Sequence, residues 1–555
     1  MPPQSGHTSR MTLSRTSTTA QEWIAHDPDP RTAAELKALS EEELAERFAH
    51  PLTFGTAGLR GPLRGGPNGM NLAVVLRATW AVAKVLHDRG LSGQNVVVGR
   101  DARHGSDEFA LAAAEVLAAE GFTVTLMFTS VPTPVVPFAV RRQSAVAGIM
   151  ITASHNPPTD NGYKVYFEGG YPIVSPTDRD IEQAMAKAPH ADEIRRAAVE
   201  PSGVDEVQRF VERAAQVRHT HGSARVAVTP LHGVGGEFLL DALVRAGFSD
   251  VHVVDEQFAP DADFPTVSSP NPEDPAATEA LLKLAADVDA DVAVALDPDA
   301  DRCAIGVPTP DGWRMLTGDE TGWLLGDYIL SQIEPGPVTE ATVVASTVVS
   351  SRMLAAIAAE HGAQHVETLT GFKWLVRADE KLPGSTLVYA YEEAIGHCVD
   401  PAAVRDKDGI SAAVLACDLV VAMQHRGHTL LDALDDLARR HGVHTTTAVS
   451  RPVEDAHQAA AVLDRLRRTP PDRLAGFDVT VTDLRDADGP LRTDALILSG
   501  GDGDTSVRLV VRPSGTEPKV KSYIEVRCGA NGDLDAARAQ AQRLQDELAA
   551  VAARF

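Results

Sequence analysis

Three carboxylates alternate in Asp297-Pro298-Asp299-Ala300-Asp301-Arg302, directly after the apolar run Val292 to Leu296. In an extended or tightly curved loop they can face one point. Hard oxygen ligands with no cysteine or histidine suit Mg2+ or Mn2+ rather than zinc. Three protein oxygens leave coordination positions open, and a phosphate oxygen is the natural further ligand. Acidic turns of this kind also occur on surfaces, but this one is attached to what reads as a buried strand. A second strand-like run, Ala145 to Ile151, leads into Thr152-Ala153-Ser154-His155-Asn156-Pro157-Pro158. Ser154 lacks the G-x-S-x-G setting of a hydrolase nucleophile, and the aspartate loop lacks the hydroxyl residue that follows the paired aspartates of common aspartyl-phosphate phosphatases. A serine beside a divalent-metal loop points to a covalent phosphoserine, which would bring about −1.5 to −2 charges and an oxygen for the metal.

Phosphoryl transfer needs positioning, charge neutralisation and a proton acceptor for the attacking hydroxyl. Lys164, ten residues beyond the serine in Asn161-Gly162-Tyr163-Lys164, is one candidate acid/base, and Lys407 in Arg405-Asp406-Lys407-Asp408-Gly409 is another. The glycine-rich stretch Thr53 to Gly61 exposes backbone, and Arg60 is its only charge, so it can approach an anion closely. Arg512-Pro513-Ser514-Gly515-Thr516-Glu517-Pro518 combines an arginine, hydroxyls and a glycine, a composition suited to holding a phosphate.

The elements that must carry these loops recur in order. A helical pattern covers Thr32 to Ala49, and a second covers Asn71 to Arg89. The strand Val96 to Val98 is followed by a helix from Asp107 to Glu120, a strand Phe122 to Met127, and the strand that opens onto Ser154. The same layout predicts strands at Val226 to Val228, Val251 to Val254 and Asp291 to Leu296, with helices ending at Gly247 and covering Pro275 to Ala286. A third copy has strands at Thr342 to Ala345, His365 to Thr368 and Thr386 to Ala390, with a helix ending at Gly362 and another beginning near Phe372. Such alternation means parallel sheets with helices on both faces, and chemistry at the strands' carboxyl ends. The last strands lead to Ser154, to the aspartate loop and to Tyr391-Glu392-Glu393-Ala394-Ile395-Gly396. After about Ser450 the pattern changes to strands Val479 to Val481, Ala495 to Leu498 and Val507 to Val511, closed by a helix from Leu534 to Ala553.

A chain of 555 residues exceeds a single core. Its net charge of −26 argues against a general nucleic-acid or membrane-surface role. No apolar run approaches the roughly 18 residues of a membrane span. Cys303, Cys398, Cys417 and Cys528 lack metal-ligand spacing and suit a reduced cytoplasm. The first residues, rich in Ser, Thr, Pro and Gln, read as a disordered tail without a secretion signal, and Met11 is an alternative start to Met1.

In their order and separation, Thr152 to Pro158, Asp297 to Arg302, Glu392 to Gly396 and Arg512 to Pro518 resemble the four active-site loops of the α-D-phosphohexomutase superfamily, the phosphoglucomutases and phosphomannomutases. The resemblance covers about residues 30 to 555. It implies an α/β protein of four domains around a central cleft: three similar α/β units with mixed, mainly parallel sheets, and a smaller C-terminal α+β domain. The expected boundaries are a tail 1–25, domain I 26–208 with the phosphoserine loop, domain II 209–318 with the metal loop, domain III 319–445 with the sugar loop, and domain IV 446–555 with the phosphate loop.

The resemblance further implies a phosphoserine at Ser154 and one Mg2+ on Asp297, Asp299, Asp301 and the phosphoserine. Ser154, Lys164, Lys407, Arg60 and His155 are the implied catalytic group. Arg302, Gly371, Lys373, Glu392, Ala394, Arg405, Arg512, Ser514, Gly515 and Thr516 are the implied substrate contacts. The expected reaction interconverts glucose 1-phosphate and glucose 6-phosphate through glucose 1,6-bisphosphate, which also serves as activator. Many glucose-preferring members have Glu-x-Ser in the sugar loop where this chain has Glu392-Glu393-Ala394. With Thr370-Gly371-Phe372-Lys373-Trp374 and Arg405 to Gly409, this resembles the branch containing second-type phosphoglucomutases and phosphopentomutases. Phosphopentomutase or phosphomannomutase activity is therefore the alternative, ahead of a metal-dependent sugar phosphatase. Small sugar phosphates, no nucleic acid, no membrane, and a monomeric or homodimeric cytoplasmic enzyme complete the expectation.

Overall fold

The structure is a computed structural model that describes residues 19–55, 58–333, 341–514, 519–530 and 532–555. It forms two compact units. The first takes in the chain up to Arg218, Arg225–Cys303 and Ala402–Val414; the second takes in His219–Ala224, Ala304–Pro401 and Leu415–Phe555.

In the first unit, β1 (Leu59–Pro62), β2 (Asn95–Arg100), β3 (Thr123–Leu126), β4 (Ala147–Ile151), β5 (Asp160–Phe167) and β6 (Tyr171–Pro172) build one sheet in the order β1-β5-β4-β2-β3, with β6 on β5. Strand β4 pairs in parallel with β2, which pairs in parallel with β3, whereas β5 runs antiparallel to both β4 and β1. Every residue of β4 is buried, as a strand covered on both faces requires. Helix Leu72–Asp88 packs much of its length into the same core, and its start is fixed by Asn71, whose side chain accepts from Val74 N–H at 3.0 Å. The unit also holds β7 (Arg225–Thr229), β8 (Asp250–Val253) and β9 (Val292–Leu296), with β8 and β9 both parallel to β7.

In the second unit, β10 (Cys303–Thr309) and β11 (Gly312–Met315) form a hairpin. Next come β12 (Ala341–Thr347), β13 (Gln364–Thr368), β14 (Ser385–Glu392) and β15 (Gly396–Cys398), in the order β13-β12-β14-β15 with only the last pairing antiparallel. The C-terminal β-rich domain has β16 (Val443–Pro452), the short pair β17 (Arg473–Leu474) and β18 (Phe477–Asp478), then β19 (Thr480–Asp483), β20 (Leu496–Gly501), β21 (Thr505–Pro513) and β22 (Lys519–Cys528). Its main sheet, β16-β22-β21-β20-β19, is antiparallel throughout, and helix Leu534–Ala552 packs on it. The expected α/β class, with mixed sheets and a distinct C-terminal domain, is what the chain adopts.

Four details correct the sequence expectations. The helical stretch 32–49 is two helices, Pro30–Ala38 and Glu41–Ala49, because Ser40 and Glu43 form a reciprocal capping box that starts a new helix. The expected disordered tail 1–25 is already helical at 19–25, where Ala20 is buried and Trp23 meets Phe48 edge-on at 6.0 Å; the rest of that stretch lies outside the described residues. Helix Val135–Gln143 lies between β3 and β4 where the sequence suggested only a connection. Its Pro137 sits in the first turn, where the missing N–H costs nothing. The segment carrying Lys164 is strand β5, in register with β4 so that Lys164 lies opposite Met150. All four cysteines are buried and none is in a disulfide, and no described helix is long and apolar enough to cross a membrane.

Candidate active site

Each polar loop leaves the carboxyl end of a parallel strand, and each contains one non-glycine residue in the left-handed region: Ser154 at φ 53°, Ala300 at φ 52° and Ile395 at φ 56°. Such backbone persists only where surroundings over-determine it. In each repeat the neighbouring parallel strand supplies the brace. The loop after β2 sends Arg103 into the Ser154 loop. The loop after β7 donates Val234 N–H to the Pro298 carbonyl at 2.9 Å, and a Cβ on Gly233 would lie 2.3 Å from Pro298 Cα, so glycine is required by close approach. The end of β12 and the loop after it place the Thr347 and Ser350 hydroxyls 3.1 Å from the Glu393 carboxylate.

Within the first unit, Ser154 is 3% exposed; its hydroxyl donates to Asp297 Oδ2 at 2.7 Å, and His155 Nδ1 lies 3.3 Å from Ser154 Oγ. Asp297 also accepts from Arg302 N–H at 3.1 Å and Arg302 Nε at 3.0 Å. Asp299 Oδ2 accepts from the Thr133 hydroxyl at 2.6 Å and from Lys164 Nζ at 2.7 Å. The same ammonium reaches Asp301 Oδ2 at 2.7 Å, and Lys407 Nζ lies 3.5 Å from it. Burial together with Asp299 pushes the Asp297 carboxyl up to about 7. Burial alone would also raise Asp299, but Lys164 outweighs it and holds that carboxyl below the usual carboxylate range. For Lys164 burial works toward a lower pKa, and the two aspartates more than reverse it.

The ligand atoms of Asp297, Asp299 and Asp301 lie within 4.8 Å of one another. One oxygen each of Asp299 and Asp301, Oδ1 in both, is buried without a hydrogen-bond partner. Orphaned buried carboxylate oxygens are rare unless something else is to satisfy them, and an all-oxygen donor set fits a hard divalent cation.

The other expected residues are placed as follows. Arg60 is half-buried and donates to Asn156 Oδ1 at 3.4 Å. Arg302 is buried against Asp297 and reaches Glu273 at 3.3 Å, so its guanidinium is engaged by the aspartate loop. Arg405 is buried with its guanidinium 5.6 Å from the Tyr171 ring centroid. Within the second unit, Glu392 ends β14 opposite Gly396, and Ala394 is half-buried in the turn. A Cβ on Gly318 would meet the Glu393 carbonyl oxygen at 2.0 Å, so the sugar loop seats directly on the first residue of helix Gly318–Ser331. Gly371 precedes the single turn Phe372–Leu375, with Lys373 Nζ 5.9 Å from the Trp374 ring centroid. Arg512 lies opposite Lys521 near the end of β21, and Ser514 N–H donates to the Lys519 carbonyl at 2.8 Å. Gly515 and Thr516 lie outside the described residues.

Sequence reasoning missed Thr133, Arg103 and Glu393. Thr133 stands between prolines with no recognisable motif. Arg103 had a usable signal: Asp101-Ala102-Arg103 follows an apolar strand, as the aspartate loop does.

Family models described as phosphoglucomutase/phosphomannomutase α/β/α domains I, II and III match residues 51–192, 207–311 and 317–441. A Haemophilus influenzae protein named "Probable phosphomannomutase" is 38% identical over 476 residues, covering 84% of this chain and 95% of its own. The mouse phosphopentomutase is 33% identical over 575 residues, covering 93% and 91%. The open-form crystal structure of Paramecium pp63/parafusin, a phosphoglucomutase, shares the fold with a TM-score of 0.68 at 17% identity over 90% of this chain and 95% of that one. The chain belongs to the phosphoglucomutase/phosphomannomutase family of the α-D-phosphohexomutase superfamily. It is an intramolecular phosphotransferase of the isomerase class.

Proposed function

We propose that the protein interconverts glucose 1-phosphate and glucose 6-phosphate through a phosphorylated Ser154 and a glucose 1,6-bisphosphate intermediate. The observation that carries this reading is the buried Ser154 hydroxyl hydrogen-bonded to Asp297 in the three-carboxylate cluster. Mg2+ on Asp297, Asp299 and Asp301 would, when bound, neutralise charge on the transferring phosphoryl oxygens. The chain's residues do the positioning. Ser154 carries the phosphoryl group; its P–Oγ bond breaks as a bond from phosphorus to the sugar oxygen forms, and the sugar hydroxyl's proton ends on Ser154 Oγ. Lys164 and Lys407, the cations at the aspartate loop, are the candidates to relay that proton. Glu392 accepts bonds from sugar hydroxyls, and Arg512 with Ser514, Gly515 and Thr516 holds the phosphate that is not being transferred. The bisphosphate then turns and returns its other phosphoryl group to Ser154.

A second reading, phosphopentomutase, is favoured by one observation: Ala394 puts no hydroxyl in the sugar loop. Similarity to the mouse phosphopentomutase over nine-tenths of both chains supports it. Four buried cysteines outside any disulfide support a cytoplasmic location. Intact-mass measurement tests the carrier: one phosphoryl group present on the chain and lost on incubation with glucose 6-phosphate supports it. Release of inorganic phosphate in step with sugar consumption points to a phosphatase instead.

A further inference from the structure

Arg103 follows β2 and is 4% exposed. One terminal guanidinium nitrogen donates to the carbonyls of Pro157 at 2.8 Å and Asp160 at 3.2 Å; the other donates to those of Ser154 and of Asn156, the latter at 2.7 Å. Four carbonyls between Ser154 and Asp160, where the loop enters β5, thus converge on a single planar cation. The loop is short of donors of its own, since Pro157 and Pro158 bring no N–H, and Asp160 N–H is spent on the Pro157 carbonyl at 3.0 Å. Beneath this fork, Asp101 lies 3.3 Å from Arg103 Nε and accepts from Arg103 N–H at 3.0 Å and from the Ser106 hydroxyl at 2.6 Å. Phe264 lies beside the guanidinium, 5.1 Å from ring centroid to its carbon.

We propose that Arg103 is a positioning residue for phosphoryl transfer: its guanidinium is the template on which the Ser154 loop is folded, and it fixes the direction in which Ser154 Oγ faces Asp297. It touches no reacting atom and acts through the loop's carbonyls. Lysine cannot replace it, because one ammonium has three donors at a point, whereas the guanidinium fork spreads five in a plane. Asp101 serves as its counter-ion, which keeps a buried cation from standing unpaired. The proposal rests on Ser154 being the phosphoryl carrier.

The test compares the full-length parent with Arg103→Lys, Arg103→Ala and the double variant Asp101→Asn with Arg103→Met, which removes both buried charges together and so guards against simple misfolding. Each is assayed with glucose 1-phosphate, bisphosphate primer and Mg2+, with thermal unfolding measured in parallel. Loop misplacement of about 1 Å costs about 100-fold, so kcat should fall by about that factor in all three while KM stays within about threefold. Guanidinium chloride at non-denaturing concentration should restore Arg103→Ala about tenfold, with sodium chloride as control, and should leave Arg103→Lys unchanged. Folded variants whose kcat stays within threefold of the parent, or activity losses that merely follow the folded fraction with no guanidinium response, overturn the proposal. A parent that carries no exchangeable phosphoryl group by intact mass overturns the Ser154 reading itself, an outcome distinct from a phosphorylated parent with fully active Arg103 variants.

Discussion

Ser154 and Asp297, 143 residues apart in sequence, meet through a 2.7 Å hydrogen bond from hydroxyl to carboxylate with both side chains buried. Neither residue needs the other for folding of its own strand, since each loop follows a separate parallel pair. The hydrogen bond between them offsets part of the cost of burying a hydroxyl and a carboxylate together. Replacing Ser154 with alanine should abolish turnover, because in the proposed mechanism its oxygen is the covalent carrier. Thermal unfolding should change little and the phosphoryl mass should vanish. Activity within tenfold of the parent would remove Ser154 from the mechanism.

The cluster sets three carboxylates against the cations Lys164, Lys407 and Arg302, with one oxygen each on Asp299 and Asp301 left over. Asp299→Asn should weaken divalent-cation binding and activity together, since the substitution removes charge but keeps shape. Mg2+ should stabilise the parent by about 2.7 kcal/mol at one hundred times its dissociation constant. The variant should show a smaller increment at the same concentration. Titration of activity and of the unfolding midpoint with Mg2+ checks both, and an unchanged metal dependence would make the loop a structural turn.

Much of this was legible because the chemistry loops follow uninterrupted apolar strands. Val292–Leu296 and Ala147–Ile151 are buried at every position, so the polar residues directly after them had to be held at strand ends. Lys164 was legible as a candidate but not as a strand residue, because Asp160–Phe167 opens on a turn-like Asp-Asn-Gly. Strand Val443–Pro452 hid for a related reason: Thr445 to Thr447 is β-branched but polar, and the strand lies at a sheet edge, so no apolar run marks it. The place of Arg103 after an apolar strand was legible, but its role was not. Its partners are backbone carbonyls, which every residue has, and only the folded loop shows that four of them face inward.

The second carboxylate of the sugar loop predicts a pH dependence. Burial, with Glu392 adjacent, pushes Glu393 up to about 7, and burial pushes Asp319 up to about 6. A carboxyl whose pKa rises on folding binds its proton more tightly in the native state. Its stabilising contribution is complete below the unfolded value and is lost as pH rises through the folded one. Stability should therefore decline from about pH 5 to pH 8, with Glu393 responsible for about 2–3 kcal/mol at most. Glu393→Gln keeps an acceptor for the Thr347 and Ser350 hydroxyls and cannot ionise, so its unfolding midpoint should vary less with pH and exceed the parent's at pH 8. Parallel unfolding curves across that range would show that Glu393 does not titrate in the folded protein.

Substrate choice rests on the same loop. Glu392 can accept from two adjacent hydroxyls, whereas Ala394 offers no side-chain bond, so in the proposed reading the ring is gripped through one carboxylate and the phosphate through Arg512 and Ser514. A site that holds the phosphate firmly and the ring loosely should tolerate a pentose, because one absent hydroxymethyl contact costs about 1–3 kcal/mol. Both glucose 1-phosphate and ribose 1-phosphate should turn over, with kcat/KM about 10–200-fold higher for the hexose. Ala394→Ser should restore one hydrogen bond to the hexose, worth about 0.5–1.5 kcal/mol, and so widen that ratio by about two- to twelvefold. A side-by-side assay with mannose 1-phosphate as third substrate measures all of this on parent and variant. A parent that prefers ribose 1-phosphate would assign the enzyme to pentose phosphates and leave the phosphoserine mechanism standing, whereas a ratio unmoved by Ala394→Ser would take residue 394 out of sugar recognition.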